Sequence, residues 1–273
     1  MVPPIVLNNG VEMPQLGFGV WQVPDEEATT AVGLALDAGY RSIDTAAVYG
    51  NERGTGKAIA ASGLAREELF VTTKLWNGAQ GYDPALRAFD ASLDKLGLDY
   101  VDLYLIHWPC PAKDRYVDTW RAFEKLLADG RVRAIGVSNF TPAHLERLLG
   151  ETSVIPAVNQ IELHPHLQQG EARAFHGEQG IATEAWSPLG QGKGLLEVPA
   201  LVAIGQKHGR TPAQVVLRWH VQLGNVVIPK SVTPSRIKEN IDVFSFELDE
   251  EDMAAIRALN EEHRLGGHPD EVN

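Results

Sequence analysis

Cysteine is nearly absent. Cys110 is the single one among 273 residues, so no disulfide can close within the chain and a reducing compartment is expected. Long apolar runs are missing as well: no window approaches the ~20 residues of a membrane span. The opening stretch, Met1-Val2-Pro3-Pro4, shows neither a charged n-region nor an apolar core, so no signal peptide is expected, and the cytoplasm is the expected location. Basic residues are in deficit, with 24 Lys plus Arg against 36 Asp plus Glu and a formal net charge of −12. Duplex-binding proteins show a basic face, so nucleic acid is not an expected partner, and neither is a membrane. No linker, low-complexity tract or repeat interrupts the chain. With 44% hydrophobic and 22% charged residues, the composition excludes disorder, collagen and coiled coil.

The familiar nucleotide fingerprints are missing too. Gly17-Phe18-Gly19 is followed by Val20, Trp21 and Gln22, and Gly54-Thr55-Gly56 meets Ile59 where a third glycine belongs. Gly56-Lys57 has Asn51 and Ala58 at the places a Walker loop reserves for Gly and Ser/Thr. A nucleotide, if bound, is held by another device. His164 and His166 stand two apart near Glu162, but no third ligand follows at a recognised spacing, and no metal is expected.

What is present is alternation. Ile5–Leu7 and Val11–Gln15 flank Asn8-Asn9-Gly10, a tight-turn signal that predicts an N-terminal hairpin. Eight apolar runs then read as strands: Leu16–Val20, Ser42–Thr45, Leu69–Lys74, Val101–His107, Val132–Ser138, Ala157–Glu162, Ala182–Ser187 and Asn225–Ile228. Helical patterns fall between them. Tyr116, Trp120, Phe123 and Leu127 make one apolar face, and Thr141-Pro142, Thr211-Pro212 and Thr233-Pro234 are helix starts. The pattern predicts an α/β fold, a (β/α)8 TIM barrel with an N-terminal β-hairpin and extended βα loops, forming one domain over residues 1–273. A doubly wound open sheet is the runner-up. The longest irregular stretches are Trp108–Arg115, Pro188–Val198 and the tail after His263; the first two follow strands, which puts them on the catalytic face of such a barrel.

Ionisable groups gather at strand C-termini. Alternation puts Leu103, Leu105 and His107 on one face, and Phe70, Thr72 and Lys74 on another; Ser42-Ile43-Asp44 ends in aspartate, with Tyr49 one short loop beyond. Singly, each has an ordinary structural reading, and Asp44 could merely pair with Lys74. Together they suit proton donation to a developing alkoxide. A buried ammonium beside a phenol favours the phenolate, an aspartate keeps that ammonium charged, and a histidine steers a carbonyl oxygen.

These residues carry a resemblance. Gly39-Tyr40-Arg41-Ser42-Ile43-Asp44-Thr45-Ala46, Val137-Ser138-Asn139-Phe140, Val158-Asn159-Gln160-Ile161-Glu162 and Ile228-Pro229-Lys230-Ser231-Val232 resemble the aldo-keto reductases, from the hairpin to the tail. Leu189-Gly190-Gln191-Gly192-Lys193 and His268-Pro269-Asp270-Glu271-Val272 are similar to the bacterial branch that includes the 2,5-diketo-D-gluconate reductases. The resemblance implies a catalytic tetrad of Asp44, Tyr49, Lys74 and His107, with Tyr49 as general acid, Lys74 lowering its pKa, Asp44 supporting Lys74 and His107 orienting the carbonyl. It implies NADPH as hydride source, with Ser138, Asn139 and Gln160 at the nicotinamide and Trp186 stacking on it where many relatives carry tyrosine. Ser187, Leu189, Gly190 and Val232 join the implied cofactor set.

The adenine end has its own logic. Arg236 lies in the first turn of a helix, where a cation is unfavourable unless an anion is near, and Lys230 and Ser231 precede it. A ribose 2′-phosphate would satisfy all three, and the family binds it there, with Glu239 and Asn240 facing the adenine. Trp21, Trp76 and Trp108 each follow, or nearly follow, a strand end; they could cap the barrel core, but the resemblance implies that they wall the substrate site with His107. The implied activity is NADPH-dependent reduction of aldehydes, α-dicarbonyls or keto sugars by a monomer acting on small molecules. The alternative is a cofactor-binding sensor or accessory subunit on the same fold, like the potassium-channel β subunits. Cys110, three residues past His107, is expected near the pocket mouth, where an exposed thiol would be open to alkylation.

Overall fold

The Asn-Gly turn folds as expected. In the computed structural model, which describes residues 2–273, β1 (Pro4–Val6) pairs antiparallel with β2 (Glu12–Pro14). Met1, the first residue of the stretch read for a signal peptide, lies outside the described residues. Gly10 takes the left-handed φ of 84° that the turn needs. Leu7 and Val11 are spent on the turn itself, which shortens both strands: Leu7 N donates to Val11 O and Gly10 N to Leu7 O, each at 2.9 Å.

Eight parallel strands follow: β3 (Phe18–Gly19), β4 (Ser42–Asp44), β5 (Phe70–Leu75), β6 (Val101–Ile106), β7 (Val132–Ser138), β8 (Val158–Glu162), β9 (Ala182–Trp186) and β10 (Val226–Val227). Each pairs with its sequence neighbour, in consecutive order, which a doubly wound sheet would not show. The ends meet. Leu16 bridges Val227 in parallel, Gly17 N donates to Val227 O at 2.9 Å, Val227 N to Gln15 O at 3.0 Å, and Gly19 N to Pro229 O at 3.1 Å. The sheet is a closed (β/α)8 barrel without a free edge.

Helices α1 (Asp25–Asp37), α2 (Glu52–Ala61), α3 (Tyr82–Leu96), α4 (Tyr116–Ala128), α5 (Pro142–Glu151) and α6 (Gly170–Gln179) each follow one strand. Two, α7 (Pro199–His208) and α8 (Pro212–Gln222), separate β9 from β10, and α9 (Pro234–Ile241) and α10 (Glu250–Arg257) complete the ring. The Thr-Pro starts hold for local reasons: Thr141 caps α5 and Thr211 caps α8, each accepting the N–H three residues on. On α4 the buried stripe runs Tyr116, Trp120, Phe123, Leu126, while Leu127 is only partly covered.

The hairpin closes the N-terminal end of the barrel. Met13 and Leu7 pack on Leu103, Leu105, Ala134, Val158 and Val226. Asn8 Nδ2 donates to Pro156 O and Asn9 Nδ2 to Arg133 O. Towards the strand C-termini the interior turns polar, with Asp44, Thr72, Lys74, Gln160 and Glu184 all buried. No helix among the described residues is long and apolar enough to cross a membrane.

Candidate active site

Where β4 ends, Thr45 N still donates to Thr72 O. The chain then takes a short 3₁₀ turn over Ala47–Tyr49 and reverses at left-handed Gly50. That reversal returns Tyr49 over the strand ends. Lys74, fully buried on β5, donates to Asp44 Oδ1 at 2.5 Å, to Thr45 O at 3.0 Å and to the Tyr49 hydroxyl at 3.4 Å. Three acceptors use the three protons of one ammonium. His107, one residue past β6, presents its ring edge-on to Tyr49 at 5.7 Å and to Trp76 at 5.3 Å between centroids. Four side chains from three strand ends and one turn thus meet, as the strand pattern predicted.

Their charges are determined by burial and by one another. Burial disfavours the charged form of Lys74, but Asp44 and Tyr49 outweigh it and raise its pKa, so the ammonium persists. Burial and the Lys74 charge push His107 well below its ordinary range, leaving a neutral imidazole whose Nδ1 is buried without a partner. The Tyr49 hydroxyl departs from the expectation in sign. Burial raises it and Lys74 opposes, but burial wins and the pKa stands above the usual phenol value. Lys74 therefore lowers the pKa only relative to an equally buried phenol with no cation beside it.

The site opens into a cleft of about 1210 Å³. Trp21 and Trp76, 42% and 38% exposed, form its rim with Trp108, and His107 and Tyr49 lie at the base. Ser138, Asn139, Gln160, Trp186, Ser187 and Leu189 line the middle. Asn139 and Ser187 sit just past β7 and β9 with φ of 63° and 50°, left-handed values uncommon outside glycine and characteristic of built sites. Asn139 is locked: its Nδ2 donates to His107 O at 3.0 Å and its Oδ1 accepts from Trp186 Nε1 at 2.8 Å. Ser138 Oγ donates to Gln160 O, and Gln160 Nε2 donates to both Asp44 Oδ2 and Glu184 Oε2, at 2.9 Å each.

Lys230, Ser231, Arg236, Glu239 and Asn240 line the far end. Lys230 and Arg236 are exposed and form no ion pair among the described residues, whereas Arg210 nearby pairs with Asp242 at 2.6 Å. Thr233 makes no side-chain cap on α9; its own N–H donates to Ser231 Oγ at 3.1 Å. An uncapped helix start with two unpaired cations is an anion site, and it fits a phosphorylated cofactor. Glu239 is held by Thr211 Oγ1 at 2.8 Å.

Three expected residues do not line the cleft. Lys74 lies beneath it, Val232 is exposed, and Gly190 is buried where a Cβ would stand 2.9 Å from Leu195 Cβ. Cys110 is a correction: it is fully buried, and burial pushes its thiol pKa up, so it is neither at the mouth nor a ready nucleophile. Val48, Glu184 and the tail residues Leu265–Gly267 were not anticipated. Only Glu184 left a signal, a carboxylate inside the apolar run Ile181–Trp186.

Comparison with known proteins identifies the family and the fold. The Aldo/keto reductase family model matches residues 14–261. A glyoxal reductase of Bacillus subtilis (strain 168) is 56% identical over 98% of this chain and 96% of its own length. A methylglyoxal reductase DkgA of Escherichia coli (strain K12) is 52% identical over 98% and 97%. The crystal structure of a mutant of Gox0644 in complex with NADPH superposes with a TM-score of 0.96 at 49% identity, covering 100% of this chain and 99% of that one. With the barrel closed and a match over nearly its whole length, the chain belongs to the aldo/keto reductase family.

Proposed function

We propose that the chain reduces small uncharged aldehydes and α-dicarbonyls with NADPH, using Tyr49 as proton donor. One observation carries the reading: the Lys74 ammonium is shared between Asp44 and the Tyr49 hydroxyl, beside a neutral His107. Neither neighbour suits proton donation, because His107 holds no proton it can release as an acid and Lys74 is held charged by Asp44. The Tyr49 hydroxyl is protonated at neutral pH, and the adjacent cation stabilises the phenolate left after donation. His107 is placed to orient the carbonyl oxygen. Ser138, Asn139, Gln160 and Trp186 would hold the nicotinamide of NADPH, and Lys230, Ser231 and Arg236 its 2′-phosphate. When bound, that cofactor supplies the hydride.

The rim points to the substrate's charge. Around Tyr49 and His107 stand Trp21, Val48, Trp76 and Trp108, whereas the cations lining the cleft, Lys230 and Arg236, sit at the α9 end. A substrate carboxylate would meet aromatic surface without a counter-charge. Relatives named glyoxal reductase and methylglyoxal reductase support the same substrate class. The reading has the chain acting as a cytoplasmic monomer, one barrel domain over 1–273, without a nucleic-acid partner.

The test is loss of NADPH absorbance with methylglyoxal. Tyr49→Phe should lower kcat by ~10²–10⁴-fold and leave NADPH affinity within about twofold. More than a tenth of wild-type turnover in the variant, under conditions where chemistry limits the rate, removes the assignment. NADPH binding with no turnover of any carbonyl would favour the accessory-subunit alternative.

A further inference from the structure

Glu162, His164 and His166, whose spacing suggested a metal and gave no third ligand, converge on the tail instead. Glu162 ends β8 with its carboxylate fully buried. Oε1 accepts from His164 Nε2 at 2.9 Å and from the backbone N–H of Leu265 at 2.6 Å; Oε2 accepts from the N–H of Gly266 at 2.9 Å, with Arg264 at 3.9 Å. The His166 carbonyl accepts from the N–H groups of Glu261 and His263, and Gln168 N donates to Asn260 Oδ1. The loop after β8 thus grips residues 260–266 almost continuously, and its one buried charge falls where the tail reaches the cleft.

The gripped segment is part of the pocket. Leu265, Gly266 and Gly267 line the cleft with Trp108 and Trp186. Gly266 presses so close that a Cβ there would stand 2.6 Å from Trp186 Cη2 and 3.2 Å from Glu162 Oε2. Beyond this point the tail's ties come from exposed residues: buried His144 reaches exposed Asp270 at 3.4 Å, and exposed Asn273 accepts from Ala112 N at 2.8 Å.

We propose that Glu162 is a specificity-determining positioning residue: it pins Leu265 and Gly266 across the mouth, so the tail forms a fixed wall that bounds substrate size. The proposal rests on the carbonyl-reductase reading for its kinetic arm only. Charge makes the pin effective. Two backbone N–H groups and an imidazole converge on one carboxylate in a dry site, where charge-assisted bonds are about twice as strong as neutral ones. Burial works against that charge, yet His164 and the two N–H groups hold the Glu162 carboxyl below its ordinary pKa.

Glu162→Gln keeps the shape and removes the charge. Trypsin should release the fragment after Arg264 about tenfold faster, because cleavage of a transiently opened segment follows the open population, and one charge-assisted bond shifts such an equilibrium by that factor or more. The ratio of kcat/KM for phenylglyoxal to that for methylglyoxal should rise about tenfold, through KM, with kcat for methylglyoxal and NADPH affinity within about twofold. Gly266→Ala, whose Cβ crowds Trp186 and Glu162 Oε2 and so pushes the tail away while leaving the carboxylate charged, should reproduce both effects, and the double variant should show less than their product. Unchanged cleavage and an unchanged ratio in Glu162→Gln overturn the proposal. So does a cleavage increase matched by equal losses of NADPH affinity and thermal stability, which would mean general damage to the barrel rim. A wild-type protein that turns over neither dicarbonyl sinks the functional reading, and the cleavage rates still decide whether Glu162 pins the tail.

Discussion

Glu184 is the residue whose environment differs most from its sequence context. On β9 it stands opposite Gln160 and Val226 in the strand register. One oxygen accepts the amide nitrogen that also serves Asp44, and the other is buried without a partner. Burial, then repulsion from Asp44, push its carboxyl up to about 8 from 4.5. The folded chain therefore keeps a proton that the unfolded chain has released between those two values. Its contribution to stability is full below pH 4.5 and is lost as pH rises towards 8. Glu184→Gln should remain close to wild type in Tm at pH 5 and become relatively more stable by pH 9. Melting curves of both proteins across that range check it, and a constant difference in Tm would show that Glu184 does not titrate there. The mid-strand acid was visible in the sequence. That it shares Gln160 with Asp44 was not, because the three residues come from three strands.

At the scale of the element, α9 shows how a local signal acquires a purpose from its surroundings. Thr233-Pro234 announced the helix start, since capping depends only on neighbouring residues. The structure alters the detail: Thr233 does not cap its helix, Ser231 takes the Thr233 N–H, and the helix start faces the cleft with Lys230 and Arg236 unpaired beside it. A charge-assisted bond to a 2′-phosphate contributes roughly 1.5–3 kcal/mol, so Arg236→Ala should weaken NADPH binding by about ten- to a hundredfold. NADH, which lacks that phosphate, should be affected much less. Fluorescence titration with both coenzymes decides; equal losses would mean that Arg236 contacts the shared part of the coenzyme or supports the fold.

For the whole molecule, closure is the main physical fact. The eight strands leave no edge, the hairpin stops one end, and the polar layer with its loops occupies the other. Met13 is the centre of the stop, fully buried against the first residues of several strands. Met13→Ala removes a side chain the barrel cannot collapse onto, and large-to-small changes of this kind cost about 2–5 kcal/mol. Tm should fall by several degrees, while KM for methylglyoxal and NADPH affinity hold within about twofold, because the stop lies at the end of the barrel away from the cleft. Thermal melts beside steady-state kinetics check this. A Tm within a degree of wild type would show that the hairpin contributes little to closure.

By itself the sequence determined the eight strands, the hairpin turn, the Thr-Pro helix starts and the gathering of Asp44, Tyr49, Lys74 and His107 at one rim. Period-two burial, turn chemistry and capping are all short-range, so neighbouring residues suffice to declare them. Strand lengths were less legible: β3 and β10 shrank to two residues each, because backbone partners across the closing seam, rather than side-chain pattern, set how long the ladder runs there. Only the tertiary structure decided the sign of the Tyr49 shift, the burial of Cys110 and the seat of the tail on Glu162. Each is a sum of desolvation and contacts between residues far apart in the chain, as when Glu162 accepts bonds from Leu265 and Gly266 a hundred positions on, and no local pattern encodes such a sum.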